Sequence, residues 1–233
     1  MTDVVVEKHQ PRETAVQRLA RQSGAFATAL ARMLVLAAIL TPVLLAAIIT
    51  VDIPMHLFDW MAGDRIASRP SNWLSRGGFI MALAPFIVIL FARKYGGDEA
   101  SRVVTASWGL AAVAAFAELS YLAPSLEDGD LPGVRFTVIF TASAMAAQYM
   151  AASVYDISRG GDRWWRAPLY ASLLSFLTYG LIYFPGVYAG TGSPWINWLI
   201  GDFAVKALMA LAFLPVYGFL RKSLKPKGGY GGI

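Results

Sequence analysis

Six stretches of 16 to 23 residues, nearly free of charge, divide this chain of 233 residues and leave little room for any other architecture. They cover residues 29–51, 77–92, 103–122, 135–155, 167–188 and 198–220. About 20 apolar residues in a helix cross the ~30 Å hydrocarbon core of a bilayer. In that core a helix satisfies its own backbone hydrogen bonds, which an irregular chain cannot do. The expected fold is therefore an all-α integral membrane protein with six transmembrane helices. A soluble globule is excluded by its shortage of polar residues. Only 15% are charged and 57% are hydrophobic, whereas soluble domains carry about 25% charged residues.

The basic residues give this frame a direction. With Arg32 counted in the N-terminal segment, fifteen Lys and Arg fall in one alternate set of connections and three in the other. Positive charge marks the cytoplasmic side, so both termini are expected there. The chain then divides into a basic N-terminal segment (1–28), a six-span membrane domain (29–220) and a basic, glycine-rich tail (221–233). The first span has too long a charged lead-in, and too full an apolar run, for a cleaved signal peptide. Arg12 to Arg32 is expected either to lie along the inner leaflet or, before Gln17, to be disordered. The connection from Asp52 to Ser75 mixes Met55, Leu57, Phe58, Trp60 and Trp73 with Asp52, Asp59 and Asp64. It reads as an interfacial or re-entrant segment.

Several chemistries drop out at this stage. Cysteine is absent, which removes disulfides and thiolate chemistry. His9 and His56 lack partners at metal-ligand spacing, and no nucleophile–base motif appears. No cofactor is expected, and neither is enzymatic activity. The net charge of +5 does not point to nucleic acid, because the basic residues flank spans and are not interleaved with exposed aromatics.

Charge inside the spans is the informative exception. Asp202 and Lys206 share one face of the last span, four residues apart. An isolated charge near the bilayer centre costs roughly 2.5–3.5 kcal/mol on insertion scales. Such a pair either lines a polar cavity or fixes helix packing as a buried salt bridge. Glu118 and Arg135 fall at the same outer level, as a cavity rim, a structural ion pair or snorkelling interfacial residues. Together the four suggest an outward-opening polar cup with Gln148 as its floor. Trp108, Phe176 and Tyr179 lie within spans and can stack on a flat solute. Pro85, Pro168, Pro185 and Pro215 mark kinks or span ends.

The motifs Arg163-Trp164-Trp165-Arg166-Ala167-Pro168, Gly201-Asp202-Phe203-Ala204-Val205-Lys206 and Phe213-Leu214-Pro215-Val216-Tyr217-Gly218 together resemble the queuosine-precursor transporter family, also called the VUT vitamin uptake family. Arg135 and Gln148 fit its fourth span, and Arg93-Lys94-Tyr95-Gly96 its turn after the second. The resemblance implies an S-component-like bundle in a bacterial inner membrane, importing 7-deazaguanine precursors. Arg135, Gln148, Phe176, Tyr179, Asp202 and Lys206 would then contact the solute. The implied partners are the lipid bilayer, a small-molecule substrate and either a second copy or an energy-coupling subunit. The chain departs from the family pattern at Ile89 and Ala151, where acids are expected, and at Ser175, Phe176 and Tyr179, which replace a Gly-Asn-x-x-Asp-like group. Two alternatives stay open, an S component and a non-transporting subunit that scaffolds a larger membrane complex.

Overall fold

The computed structural model describes residues 14–63, 66, 69–122 and 132–226. Lys8, His9, Arg12, Asp64, Arg65 and the tail from Lys227 onward lie outside the described residues. Among the described residues, seven α-helices supply six helical stretches long and apolar enough to cross a membrane. In chain order they are α1 (Ala15–Ile49), α2 (Arg76–Met81), α3 (Leu83–Tyr95), α4 (Gly97–Leu122), α5 (Val134–Ser158), α6 (Arg166–Tyr188) and α7 (Trp195–Leu220). Outward-facing side chains such as Ile39, Val113, Phe116, Leu181, Leu208 and Phe219 are exposed and apolar, as a lipid-facing surface requires.

The first helix begins earlier than the apolar run suggests. Thr14 and Gln17 form a reciprocal capping box, which satisfies two backbone donors at the helix start. From there α1 continues unbroken through 35 residues, roughly 52 Å at 1.5 Å per residue. The basic lead-in is thus the first turns of the span helix itself. It is neither a separate surface helix nor, from Ala15 onward, an irregular tail. Arg32 holds it to α4 through Glu99 at 3.2 Å, with its guanidinium 5.5 Å from the Tyr95 ring centre.

The second span is longer than expected and is broken in the middle. Pro85 has no N–H to offer the carbonyl of Met81, and its ring crowds that carbonyl. The helix stops at Met81 and restarts at Leu83, with the Ala82 N–H shared between the Gly78 and Ile80 carbonyls. At the start of this span α2 lies against the end of α1, where Gly77 N–H donates to Thr50 O at 2.8 Å. A Cβ at Gly77 would overlap Ala47 O and the Val51 backbone, so the approach requires glycine.

Among the described residues, the connection between α1 and α2 includes short 3-10 turns at His56–Ala62 and Pro70–Asn72. Its ends meet through Met55 N to Leu74 O (2.9 Å) and Arg76 N to Ile53 O (2.8 Å). Asp59 pins the middle by accepting from Ser71 N and meeting His56 Nδ1, each at 2.8 Å. The His56 hydrogen bond holds the Asp59 carboxyl below the ordinary carboxylate range. Leu57, Trp60 and Ile66 point outward, which suits an interfacial segment.

Small residues let the central helices come close. The buried positions of α5 include Ser143, Ala144, Ala147, Ala151 and Ala152, and those of α6 include Ala167, Ala171, Ser172 and Ser175. Close backbone approach of this kind drives helix association where lipid removes the hydrophobic incentive. The α5–α6 contact is the most extensive in the bundle, while α3 touches α1, α4, α5 and α6 and so forms its centre. Gly96 turns α3 into α4 at φ +93°, a conformation that L side chains rarely adopt. The Asp156 carboxylate of α5 then accepts from Gly97 N at 3.0 Å, placing negative charge at the start of α4. These contacts gather Arg32, Arg93, Arg159 and Arg221 at one end of the bundle.

Candidate functional site

On α7, one helical turn brings the Lys206 ammonium 2.7 Å from the Asp202 carboxylate. The two residues are only 3% and 4% exposed. Above the ammonium lies the Tyr179 ring of α6, its centre 3.9 Å from Nζ, a cation–π contact strengthened by the loss of water. Gln148 of α5 is fully buried. Its Oε1 accepts from Trp108 Nε1 of α4 at 3.1 Å, and its Nε2 faces Met81 Sδ at 3.8 Å. Phe176 of α6 stands edge-on to Phe86 at 5.5 Å, and Phe86 stacks on Phe213 of α7 at 4.3 Å. Four helices besides α2 and α3 therefore contribute to one neighbourhood.

Between these groups is a hollow of about 10 Å³ lined by Met81, Pro85, Gln148, Phe176, Tyr179 and Lys206. That is space for roughly one water molecule. The break at Pro85 creates it, since the interrupted turn at Met81 and Ala82 forms one of its walls. Asp202 sits behind Lys206 and does not line it.

The outward-opening cup of four charges is not the geometry observed. A separate vestibule of about 370 Å³ lies nearer the α1–α2 connection, lined by Asp52, Asn72, Trp73, Phe136, Tyr183 and Tyr188 among others. Tyr183 stacks on Tyr179 at 5.1 Å with the rings 17° apart. Two tyrosines thus stand between the vestibule and the hollow. The physical reason is that stacked aromatic rings fill this level of the bundle. Phe136 and Phe140 pack against Tyr183 edge-on, and Tyr188 continues the cluster to Trp198.

Glu118 and Arg135 lie away from the buried pair. Arg135 is exposed and donates to Gly186 O (2.8 Å) and Ala189 O (3.2 Å). It occupies carbonyls at the α6 C-terminus, where the end of the helix leaves acceptors without backbone partners. Glu118 is exposed on α4, and no ion pair joins it to Arg135. Phe176, Tyr179, Gln148 and Lys206 do come together. Ile89 and Ala151 are wholly buried, so the two positions where the family resemblance expects acids belong to the dry core.

Sequence reasoning gave Trp108 a stacking role, whereas it acts here as a hydrogen-bond donor. It overlooked Met81 and Tyr183. Pro85 was the available signal for Met81, being four residues further along the chain. A second polar cluster was missed entirely. At the other end of α7, Tyr217 meets the Tyr155 hydroxyl at 2.7 Å and accepts from Arg93 Nη1 at 3.3 Å. A larger groove of about 850 Å³ lies between α7 and the α1–α2 connection, and its lining, including Phe58, Trp73, Phe79, Leu208 and Met209, carries no charge.

No curated protein and no solved structure matches the chain. A family model described as "Putative vitamin uptake transporter" matches residues 75–220, well over half of the sequence and all of α2 to α7. The hollow, the buried ion pair and the amide beside it all fall within that span. By that match and its six apolar helical stretches, the chain is a multi-pass membrane protein that belongs to the vitamin uptake transporter family.

Proposed function

We propose that this protein imports a small planar heterocycle, a queuosine precursor of the 7-deazaguanine type, across a bacterial inner membrane. The observation that carries the reading is the sealed Asp202–Lys206 pair, which sits within a helix bundle against an aromatic ring and an amide. Holding two charges away from water costs several kcal/mol per ion before their attraction offsets it. A ligand that exchanges hydrogen bonds with the pair makes use of that arrangement. Gln148 and Lys206 would bond the solute edge, with Asp202 holding the Lys206 ammonium in place and Phe176 or Tyr179 against the solute's face. Arg135 supports the site from the rim by holding the end of α6. In this scheme the vestibule receives the solute, and rotation of Tyr179 and Tyr183 admits it to the hollow.

The distribution of basic residues supports a cytoplasmic side for both termini, and for the end of the bundle carrying Arg93 and Arg221 with them. The absence of cysteine makes this easy to test. Thr191→Cys should react with a membrane-impermeant maleimide from outside intact cells, and Ser223→Cys only after lysis. The opposite pattern would invert the topology.

The central test is uptake of labelled 7-cyano-7-deazaguanine by cells expressing wild type or Asp202→Asn. Uptake by wild type alone supports the reading. Equal uptake by both removes Asp202 from the mechanism, and no uptake by wild type removes this substrate.

The closed geometry also favours a second reading, a membrane subunit that scaffolds a complex without transporting. Asp202 and Lys206 touch each other, and the hollow beside them holds about one water. An empty importer in an occluded state has the same appearance, so access decides between them. Carbodiimide labelling of Asp202 that rises when solute is added, or that occurs from outside at all, favours import. Permanent inaccessibility favours the scaffold. Co-purification with an ATP-hydrolysing module would identify the S-component version of the import reading.

A further inference from the structure

We infer that Trp108 sets the specificity of the hollow by fixing the direction of the Gln148 amide, so that the site selects a ring carbonyl over a ring amino group. This inference rests on the import reading and adds which edge of the heterocycle is recognised.

The argument begins with donor chemistry. An indole N–H can only donate. Trp108 Nε1 lies 3.1 Å from the Gln148 side chain, so the amide atom facing it must be the oxygen. Turning the amide over would set its N–H against the indole N–H and leave both buried donors unpaired. Trp108 is 6% exposed and Gln148 fully buried, so water cannot relieve that conflict.

With the oxygen occupied, the amide NH₂ must face the opposite side, which is the hollow. Its partner there is Met81 Sδ at 3.8 Å, a weak acceptor. Of the other polar residues lining the hollow, Lys206 only donates, whereas the Tyr179 hydroxyl can donate or accept and so discriminates against neither edge. The carboxylate partner of Lys206, Asp202, does not line the space. From Gln148 and Lys206 the hollow thus presents two fixed side-chain donors toward a ligand, and the Met81 thioether is its one fixed side-chain acceptor.

A ligand edge that carries a carbonyl oxygen satisfies both donors. An edge that carries an amino group at the same position meets N–H with N–H and leaves buried donors on both sides, at about 1–3 kcal/mol for each unsatisfied group. Trp108 touches no ligand in this account and is a positioning residue.

The experiment compares two probes, 7-deazaguanine and its 2,6-diamino counterpart, in which the 6-oxo acceptor becomes an amino donor and the neighbouring N1 loses its proton, by equilibrium binding to the full chain in lipid nanodiscs. Wild type should bind the oxo compound at least about tenfold more tightly. Trp108→Phe keeps an aromatic ring but removes the N–H, and the preference should fall to within about threefold as the amide becomes free to turn. Gln148→Glu keeps the shape and the bond from Trp108, but turns an acceptor toward the hollow. It should reverse the preference, which a merely structural role for position 148 would not do, and it serves if Trp108→Phe fails to fold. Equal binding of both probes by wild type overturns the inference and leaves the heterocycle reading intact. Binding of neither overturns both. A preference that survives in Trp108→Phe and is not reversed in Gln148→Glu removes the tryptophan–glutamine mechanism.

Discussion

Two buried polar clusters share α7 and are eleven residues apart, about 16 Å along the helix. The cluster at Lys206 joins α4, α5, α6 and α7; the cluster at Tyr217 joins α3, α5 and α7. They differ in how fully their hydrogen bonds are used. At Tyr217 the groups close on one another. The Tyr155 and Tyr217 hydroxyls meet at 2.7 Å, Arg93 donates to Tyr217 and to Arg221 O, and Trp164 stacks on Tyr217. Apart from Arg93 Nε, which has no hydrogen-bond partner, the cluster is self-sufficient. At Lys206 an amide NH₂ faces only a thioether beside a small hollow, and an ammonium rests on a ring. Burial of polar groups is therefore a poor marker of a site, and unspent donors beside space are a better one.

The strongest way to break this comparison is to damage the Asp202–Lys206 pair. Asp202→Asn leaves the Lys206 ammonium buried without a carboxylate and should destabilise the protein by about 3–5 kcal/mol, read as a large drop in thermal unfolding temperature in nanodiscs. Combining Asp202→Leu with Lys206→Met should restore stability to near or above wild type, because apolar replacements of both partners are often neutral or better. The same double variant should take up no solute. Retained uptake would show that the pair serves packing alone.

Tyr217→Phe tests the other cluster. It removes the hydroxyl that meets Tyr155 and accepts from Arg93, and should cost about 1–3 kcal/mol while leaving solute affinity unchanged. Impaired affinity at normal stability would mean that the two clusters are coupled. A smaller effect, of opposite sign, is expected at Ser175. Its hydroxyl is buried without a partner one turn from Tyr179, so Ser175→Ala should stabilise the empty protein by roughly 1 kcal/mol. A loss of stability on that change would reveal a bond made by the hydroxyl in solution.

The smallest effect lies outside the bundle and calibrates both clusters against an exposed tie. The Asp59 carboxyl is held low chiefly by its bond to His56, so the folded group ionises more readily than the unfolded one. Its support for the connection is fully present above about pH 4, the ordinary carboxylate value. It is lost as pH falls through the lower, folded value. The Ser71 amide resonance should report that step, and Asp59→Asn should abolish it. Wild type and variant moving together would assign the change elsewhere.

How far the sequence could be read follows from the range over which each feature is decided. Asp202 and Lys206 were legible as a pair because a helix alone places residues i and i+4 side by side. The break before Leu83 was legible at Pro85 for the same reason, a missing N–H one turn back along the chain. Trp108 with Gln148, Tyr155 with Tyr217 and Arg135 with the Gly186 carbonyl were not. Each of those contacts joins separate helices, so it depends on their relative rotation and depth, which no single helix specifies. Tyr183 is an instance on one helix. It shares a face with Tyr179, yet its role as a partition depends on Phe136 and Phe140 arriving from α5.

By itself the sequence determined six spans, the local charge pair and the family motifs, because backbone hydrogen bonding in an apolar medium admits so few alternatives. Tertiary structure alone decided that two of the four intramembrane charges are sealed together while Arg135 is occupied at a helix end. It also decided that stacked tyrosines divide the vestibule from the hollow. Those outcomes depend on which faces the helices turn toward one another, a property of packing between elements that is absent from any one of them.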